Sequence, residues 1–433
     1  MERLLHYVWK NRLIPRRGLA TTDGQEVVVL STGFHNKDAG SDFFSADVII
    51  GGEDWMGNVE IHSCSSDWYR HGHHEDEAYN NVILHVVEKA DREVVTQSGR
   101  KVPQLVIEVP DHVIRNYEHL QAFEDYPPCY AYAANLPHLI TDSFISRLGR
   151  ERLDRKADEI DRRLKYCEFD WERVLFITMA RAFGFGLNGD TFEEWARIIP
   201  YPGAAKHRDN LFQIEALFLG QAGLFEEADM SDRQRHNALS DAYFQSLRNE
   251  YRFLANKFTL TPLSVFKWKF LRLRPQNFPS LRLAQFASLY CRGKLCLSAL
   301  IEAPDVKAAH ALLKTEVSEY WRHHYMLCTE ATRIEGGALQ SGSLDLLVLN
   351  AVIPVLYAYG RYRKSRKLME KALDWLHRLD AEDNKHTRLW RKMGLEVRNA
   401  AESQAVVQLM TQYCRRGDCL RCQLGYQYIK KKQ

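Results

Sequence analysis

The chain has 433 residues, room for two or three domains at roughly 150 residues each. With 45% hydrophobic and 27% charged residues it has the balance of a folded protein and not of a disordered one. Lys and Arg (59) barely exceed Asp and Glu (56), so the net charge of +3 does not by itself argue for a nucleic-acid partner, and any basic surface has to be local.

The first residues, Met1-Glu-Arg-Leu-Leu-His-Tyr-Val-Trp9, lack a basic stretch followed by a continuous apolar run. No stretch of ~18 apolar residues occurs. The expectation is a cytoplasmic chain with no membrane partner. Nine cysteines are an odd number, and most are scattered, which argues against a disulfide framework.

In chain order, residues 1–15 read as a short amphipathic helix. Leu4, Leu5, Val8 and Trp9 recur at helical spacing, and Pro15 stops it. Residues 27–30 are a β-branched run. Residues 43–50 form a second strand, with Asp47 and Ile49 on one face and Ala46, Val48 and Ile50 on the other. Residues 51–54 (Gly-Gly-Glu-Asp) turn the chain, and 55–62 return as the other arm of a hairpin. Residues 66–80 are a polar loop opening a short helix. Residues 82–87 (Val-Ile-Leu-His-Val-Val) read as a strand buried on both faces, except for His85. Residues 93–95 and 104–109 read as a further strand pair, turning at Ser98-Gly99. After Pro127-Pro128 helical periodicity dominates. Residues 144–164 form a charged helix, and 211–219, 282–289, 306–320, 344–359 and 365–379 are the clearest of the rest. The fold class is therefore α+β: a mixed-sheet unit in residues 1–125, an all-α domain over 140–410, and a Cys-rich basic tail at 411–433.

Chemistry concentrates between Gly33 and Asp91. Five of the chain's seventeen histidines fall between positions 62 and 85. Asn58, Glu60 and His62 alternate with Val59 and Ile61, so the three polar groups share one strand face. Across the hairpin, Asp47 or Ser45 is expected opposite Glu60, and Asp42 near His62, depending on register. Asp42, Asp47 and Glu60 would suit Mg²⁺ or Mn²⁺, with His62 orienting water. Asp67, His71, His73, Asp76 and His85 are secondary candidates. His71, His73, His74 and Asp76 also suit a Zn²⁺ site of their own. The same residues could instead form the solvated face of a hairpin, with His85 as a satisfied core histidine.

The tail carries Cys414-x4-Cys419-x2-Cys422, a spacing that places thiolates around one ion. Cys129 is the expected fourth ligand, with Cys291, Cys296 or a histidine as alternatives. Zn²⁺ is the default occupant and a [4Fe–4S] cluster the alternative. Farther along, Trp268 to Arg282 interleaves Arg272, Arg274 and Arg282 with aromatics, a pattern suited to phosphate and base contact but equally to a helix end and a Pro-rich turn. Arg415, Arg416, Arg421 and residues 430–432 of the tail could add phosphate contacts.

The order of acids on the strands resembles the PD-(D/E)xK nuclease superfamily, whose fold is restriction-endonuclease-like. There an Asp precedes an acid-x-Lys on the next strand. Asp42 or Asp47 would be the first acid, Glu60 the second, and His62 stands where that superfamily has Lys. The segments Gly40-Ser-Asp-Phe, Gly57-Asn-Val-Glu-Ile-His, Ser66-Asp-Trp, His71-Gly-His and Trp268 to Pro279 resemble a bacterial family, common in Bacteroidetes, that is a domain of unknown function. That second resemblance implies no activity. The function expected from the residues and the nuclease resemblance is metal-dependent phosphodiester hydrolysis on a nucleic acid. The alternative is a non-catalytic module that binds nucleic acid or protein through a decayed nuclease-like site and a structural metal.

Overall fold

The computed structural model describes residues 2–15, 18–36, 39–122, 126–226, 232–331 and 337–432. The chain divides into two compact units. The first comprises Met1–Phe144, Leu389–Leu395 and Leu409–Gln433. The second comprises Ile145–Arg388 and Glu396–Gln408. The tail is thus part of the N-terminal unit, where the sequence suggested a segment of its own.

The first unit opens with helix α1 (Glu2–Lys10), which buries Leu4, Leu5, Tyr7, Val8 and Trp9. Each such side chain contributes roughly 1.5–3 kcal/mol, so this short helix is held by packing and not by propensity. The Trp9 indole N–H also donates to the Thr32 carbonyl at 3.1 Å. A seven-stranded sheet follows. Its strands are β1 (Leu19–Ala20), β2 (Glu26–Ser31), β3 (Phe34–His35), β4 (Phe43–Ile50), β5 (Glu53–Cys64), β6 (Val82–Lys89) and β7 (Gln104–Val106). Strands β2, β4 and β5 run antiparallel, while β6 lies parallel to β5 and β7 parallel to β6. Between β5 and β6 the chain makes one turn of helix α2 (Asp67–Arg70).

The expected pairing of residues 93–95 with 104–109 does not form. Only an isolated bridge joins Val95 to Lys101. Residues 104–106 add to β6 instead, because its apolar run has an open edge on that side. His85, the expected exception to burial, is buried like its neighbours. Gly57 marks where β5 and β6 come together: a Cβ there would meet Ile83 Cγ2 at 2.4 Å and the Asn81 carbonyl at 2.8 Å.

Three further helices complete the first unit's long N-terminal stretch or leave it: α3 (Asp111–Gln121), α4 (Cys129–Ala133) and α5 (His138–Tyr166). The second unit is mostly helical. It contains α6 (Trp171–Phe183), α7 (Gly189–Ile198) and many shorter helices around one core. Phe176, Trp195, Phe218 and Phe286 meet there, for example Trp195 with Phe218 at 4.9 Å between ring centroids. The unit is not purely helical as expected, since His324–Met326 and Thr329–Glu330 pair as a small hairpin. The predicted helix 306–320 ends at Leu313. The 22-residue helical run Ser341–Tyr362 is long and apolar enough to cross a membrane, but 67% of its apolar window is buried in the core.

The core holds one carboxylate with a measurable consequence. Glu215 is fully buried and accepts hydrogen bonds from the Tyr243 hydroxyl and from Ser318 Oγ at 3.0 Å. Burial, opposed by those bonds, pushes its pKa from 4.5 up to about 7. The unfolded chain therefore loses its proton first as pH rises. Stability is full below pH 4.5 and declines until pH passes about 7, by on the order of 3 kcal/mol. Glu215→Gln is expected to remove that decline. Urea unfolding of both proteins at pH 5 and pH 8 checks it, and equal pH dependence would contradict it.

Candidate metal centre

The second half of β5 is where the sheet turns from wet to dry. Glu53, Asp54 and Met56 are exposed, whereas Val59, Glu60, Ile61 and His62 are all buried. The change follows from β6, which pairs with β5 from Asn58 onward and closes that edge. Alternation puts Glu60 and His62 on one face. Opposite them, β4 begins with a bulge: the register shifts between Phe43 and Ala46, and Ser45 takes a left-handed φ of 54°. The bulge sets Asp42 beside Glu60. The Asp42 N–H donates to Glu60 Oε2 at 3.1 Å, and the Ile61 N–H donates to Asp42 Oδ2 at 2.9 Å.

Two further histidines reach the same point from the turn after α2. Gly72 adopts φ +78°, which lets the chain double back between His71 and His73. The His71 N–H donates to the Asp67 carbonyl at 2.9 Å, and the His73 N–H to the Trp68 carbonyl at 3.0 Å, fixing the turn. His73 is stacked on Tyr79 at 3.8 Å. The ligand atoms of His62, His71 and His73 all lie within 4.8 Å of one another.

The edge lengths are informative. His73 Nε2 is 3.2 Å from Glu60 Oε1, His62 Nε2 is 3.6 Å from the same oxygen, and His62 Nε2 is 3.1 Å from His71 Nδ1. Donors that share one ion at about 2.0–2.2 Å lie about 3.0–3.6 Å apart. His73 Nε2 is also buried without hydrogen-bond geometry to any partner. A buried nitrogen this close to a carboxylate yet without a hydrogen bond is an unsatisfied group in search of a ligand. Behind this group, His62 Nδ1 meets His85 Nε2 at 2.9 Å. With its proton on Nδ1, His62 donates to His85 and turns the Nε2 lone pair toward His71 Nδ1. That is the outer-shell support metal-ligating histidines usually have.

The electrostatics suit a cation. Burial, reinforced by His85, His73 and His71, drives the His62 pKa down to about 2, and burial takes His85 down to about 3. Both imidazoles are neutral, with lone pairs to offer. Burial pushes Glu60 up to about 8, partly offset by the Asp42 N–H. Burial, then the neighbouring Glu60 charge, raises Asp42 to about 6, partly offset by His6. Carboxylates crowded in a dry site need a cation to ionise together. Three imidazoles and a carboxylate are a borderline donor set, which fits Mn²⁺, Fe²⁺ or Zn²⁺ better than Mg²⁺.

His85→Leu is expected to weaken binding of Mn²⁺ or Zn²⁺ roughly 10- to 100-fold, because His62 loses its orienting partner. Isothermal titration reads this directly, and unchanged affinity would exclude the supporting role.

Not every predicted residue joins. Asp47 stands opposite Met56 and not Glu60, because the tight turn at Gly51-Gly52 pairs Ile50 with Glu53 and fixes that register before the β4 bulge is reached. Asp67 is buried as a structural group: it accepts from the Cys64 N–H at 3.2 Å and pairs with Arg70. Asp76 caps the short helix that follows by accepting from the Ala78 N–H. His74 pairs with Glu75 at 3.4 Å. His6 was not singled out in the sequence, where it looks like one polar residue on an apolar helix. Its Nε2 lies 3.4 Å from Asp42 Oδ2 and is buried without a hydrogen bond.

In the second unit, Arg282 is unavailable to phosphate. It is buried, its guanidinium donates to Gln285, Asn277 and Ser343, and it stacks over Phe185 at 4.1 Å. Arg272 and Arg274 are exposed. Back in the first unit, Cys129, Cys414, Cys419 and Cys422 are all buried. Burial and then the other three thiols push Cys129 well up, so all four lie within electrostatic reach of one another. Cys414 rises to about 12 by burial and Cys422, and Cys419 to about 11 by burial and Asp418. The Tyr130 hydroxyl lies 3.7 Å from Cys414 Sγ.

Residues 2–385 match the family model described as protein of unknown function, DUF2851. The chain belongs to the DUF2851 family. The matched region of this DUF2851 protein holds every residue of the histidine–carboxylate centre and Cys129, and stops short of the three tail cysteines. No curated protein and no solved structure matches the chain.

Proposed function

We propose that this DUF2851 protein is a metal-dependent phosphodiester hydrolase acting on nucleic acid, with its centre at Glu60, His62, His71 and His73. The observation that carries the proposal is the convergence of Glu60 Oε1 with His73 Nε2 and His62 Nε2, at 3.2 and 3.6 Å, among buried side chains. His71 is the exposed member, so the centre opens to substrate on its side. A divalent ion bound there would polarise a phosphoryl oxygen and acidify water. Asp42, held by the Ile61 N–H and with a raised pKa, accepts the proton of the attacking water. His6 steadies Asp42 from α1. Glu60 fixes the geometry by bonding the Asp42 N–H through one oxygen and facing the histidines with the other.

The substrate class rests on the order of elements. A helix, three antiparallel strands, a short helix and a strand parallel to the third place Asp42 at the start of the second long strand and Glu60-Ile61-His62 on the third. That is the order in which the PD-(D/E)xK superfamily carries its acids. His62 does not replace the superfamily's Lys as a cation, because it is held neutral. It serves as a ligand. Purified protein incubated with single- and double-stranded DNA and RNA, with Mn²⁺, Zn²⁺ or Mg²⁺ added after chelation, tests the proposal. Absence of cleavage with every ion would leave the non-catalytic binding module as the better reading.

The tail is proposed to hold a second metal through Cys129, Cys414, Cys419 and Cys422. Sulfurs around one Zn²⁺ lie about 3.8 Å apart. Among the described residues, the group of three ligands found within 4.8 Å is the histidine group and not these thiols. The wider spread favours the [4Fe–4S] alternative over zinc.

A further inference from the structure

The charged helix α5 presents an anomaly. Arg152, Lys156, Glu159 and Arg163 fall at steps of four, three and four, a single helical face. In sequence such a stripe belongs in water. Here it faces a cavity of about 450 Å³ inside the second unit, walled also by α6, by the helix run through residues 346–354, and by Glu382 and Gln404. Turning charges inward costs desolvation unless something is paired with them.

Some of the pairing is internal. Arg163 forks onto Glu193 at 3.0 and 2.7 Å, and Arg181 meets Glu193 at 2.9 Å and Asp190 at 2.5 Å. Arg155 reaches Glu159 at 3.3 Å, and Glu382 accepts from Gln404. Two cations have only neutral hydrogen-bond partners, although Glu382 and Glu159 also act on Lys156 through space. Arg152 Nε donates to Gln404 Oε1 at 3.1 Å, and Lys156 Nζ to Asn350 Oδ1 at 2.9 Å. Arg197 also pairs with Glu193. Five cations line the cavity (Arg152, Arg155, Lys156, Arg163, Arg181) with two carboxylates (Glu159, Glu382), and Glu193 and Asp190 stand behind Arg163 and Arg181, leaving one positive charge in excess.

The wall also contains polar atoms with nothing to bond. Arg155 Nε and Thr178 Oγ1 are buried and have no hydrogen-bond partner. Asn350 sits in a π-helical turn, Val348–Val352, a local distortion common at ligand sites. At the rim Phe185 holds a left-handed φ of 41° ahead of Gly186.

We propose that this cavity binds a small phosphorylated organic molecule, with the phosphoryl group held by Arg152 and Lys156 and the Thr178 hydroxyl within the same wall. A phosphomonoester carries about 1.5 to 2 negative charges at neutral pH, which more than offsets the excess. Arginine's fork and the lysine point charge are the usual receptors for that group. The volume accommodates a ligand of nucleotide size. The site is independent of the metal centre proposed above.

Isothermal titration of the full chain with AMP, ribose 5-phosphate, inorganic phosphate and adenosine, at fixed ionic strength, tests the assignment. One or more of the phosphorylated probes is expected to bind and adenosine is not. Arg152→Gln and Lys156→Met are each expected to weaken the binding roughly 10- to 100-fold. Val407→Phe, which fills the cavity without touching a charge, is expected to abolish it and guards against variants that fail to fold. The proposal is overturned if no phosphorylated probe binds the wild type, or if adenosine binds as well as AMP. It is also overturned if folded Arg152→Gln and Val407→Phe bind like the wild type, or if only an oligonucleotide binds.

Discussion

Glu60→Gln is expected to lower metal-dependent cleavage by ~10³-fold while leaving the fold intact, the largest effect of any single substitution in the first unit. The amide keeps a carbonyl oxygen for the Asp42 N–H, so the β4–β5 contact survives. It removes the charged oxygen that His73 and His62 face. Because burial already raises Glu60 to about 8, the neutral amide costs the metal-free protein little. Divalent-ion affinity should fall in step with activity. The measurement is cleavage rate and metal titration on the same preparation, with circular dichroism as the check on folding. Full activity in Glu60→Gln would sink the assignment of the centre. Loss of activity with undiminished metal affinity would move Glu60 from ligand to base.

Cys414→Ser is expected to release the tail metal and destabilise the first unit. Four buried thiols, of which Cys129, Cys414 and Cys419 have a raised pKa, are poor company unless a cation holds them as thiolates. Metal bound only by the folded arrangement adds its binding energy to folding. Elemental analysis of anaerobically purified protein should find iron and sulfide, with a visible absorption lost in Cys414→Ser and in Cys129→Ser alike. Zinc in place of iron would correct the occupant. Equal metal content in wild type and both variants would refute the site. Cys296→Ser, on the partly exposed N-cap of a second-unit helix, should change nothing.

The two readouts also separate the centres. A variant in the tail should lose iron or zinc but retain the Glu60-dependent ion. A variant at Glu60 should do the reverse.

Much of the first unit was legible in the chain. Residues 43–50 alternate so regularly that the strand bounds agree with the structure, and Gly51-Gly52 makes the hairpin turn explicit. Glu60 and His62 share a face because side chains on a strand have period two, whatever surrounds them. The cysteine spacing in the tail is local, so it too is readable. The partner of each local feature is not. The tight turn at Gly51-Gly52 keeps Asp47 opposite Met56, and a bulge at Ser45, with a left-handed φ that its residue type does not announce, brings Asp42 and not Phe43 to Glu60. The approach of His6 depended on how α1 packs against β5, which no periodicity encodes. Arg282 looked like a nucleic-acid contact until burial against Phe185 and Gln285 claimed it. Residues 144–164 read only as a charged helix, and that one of its charged faces lines a cavity is a matter of packing. Sequence pattern determines which residues share one face of one element. Which faces meet, and therefore which acids, imidazoles and arginines share a site, is decided by packing between elements far apart in the chain.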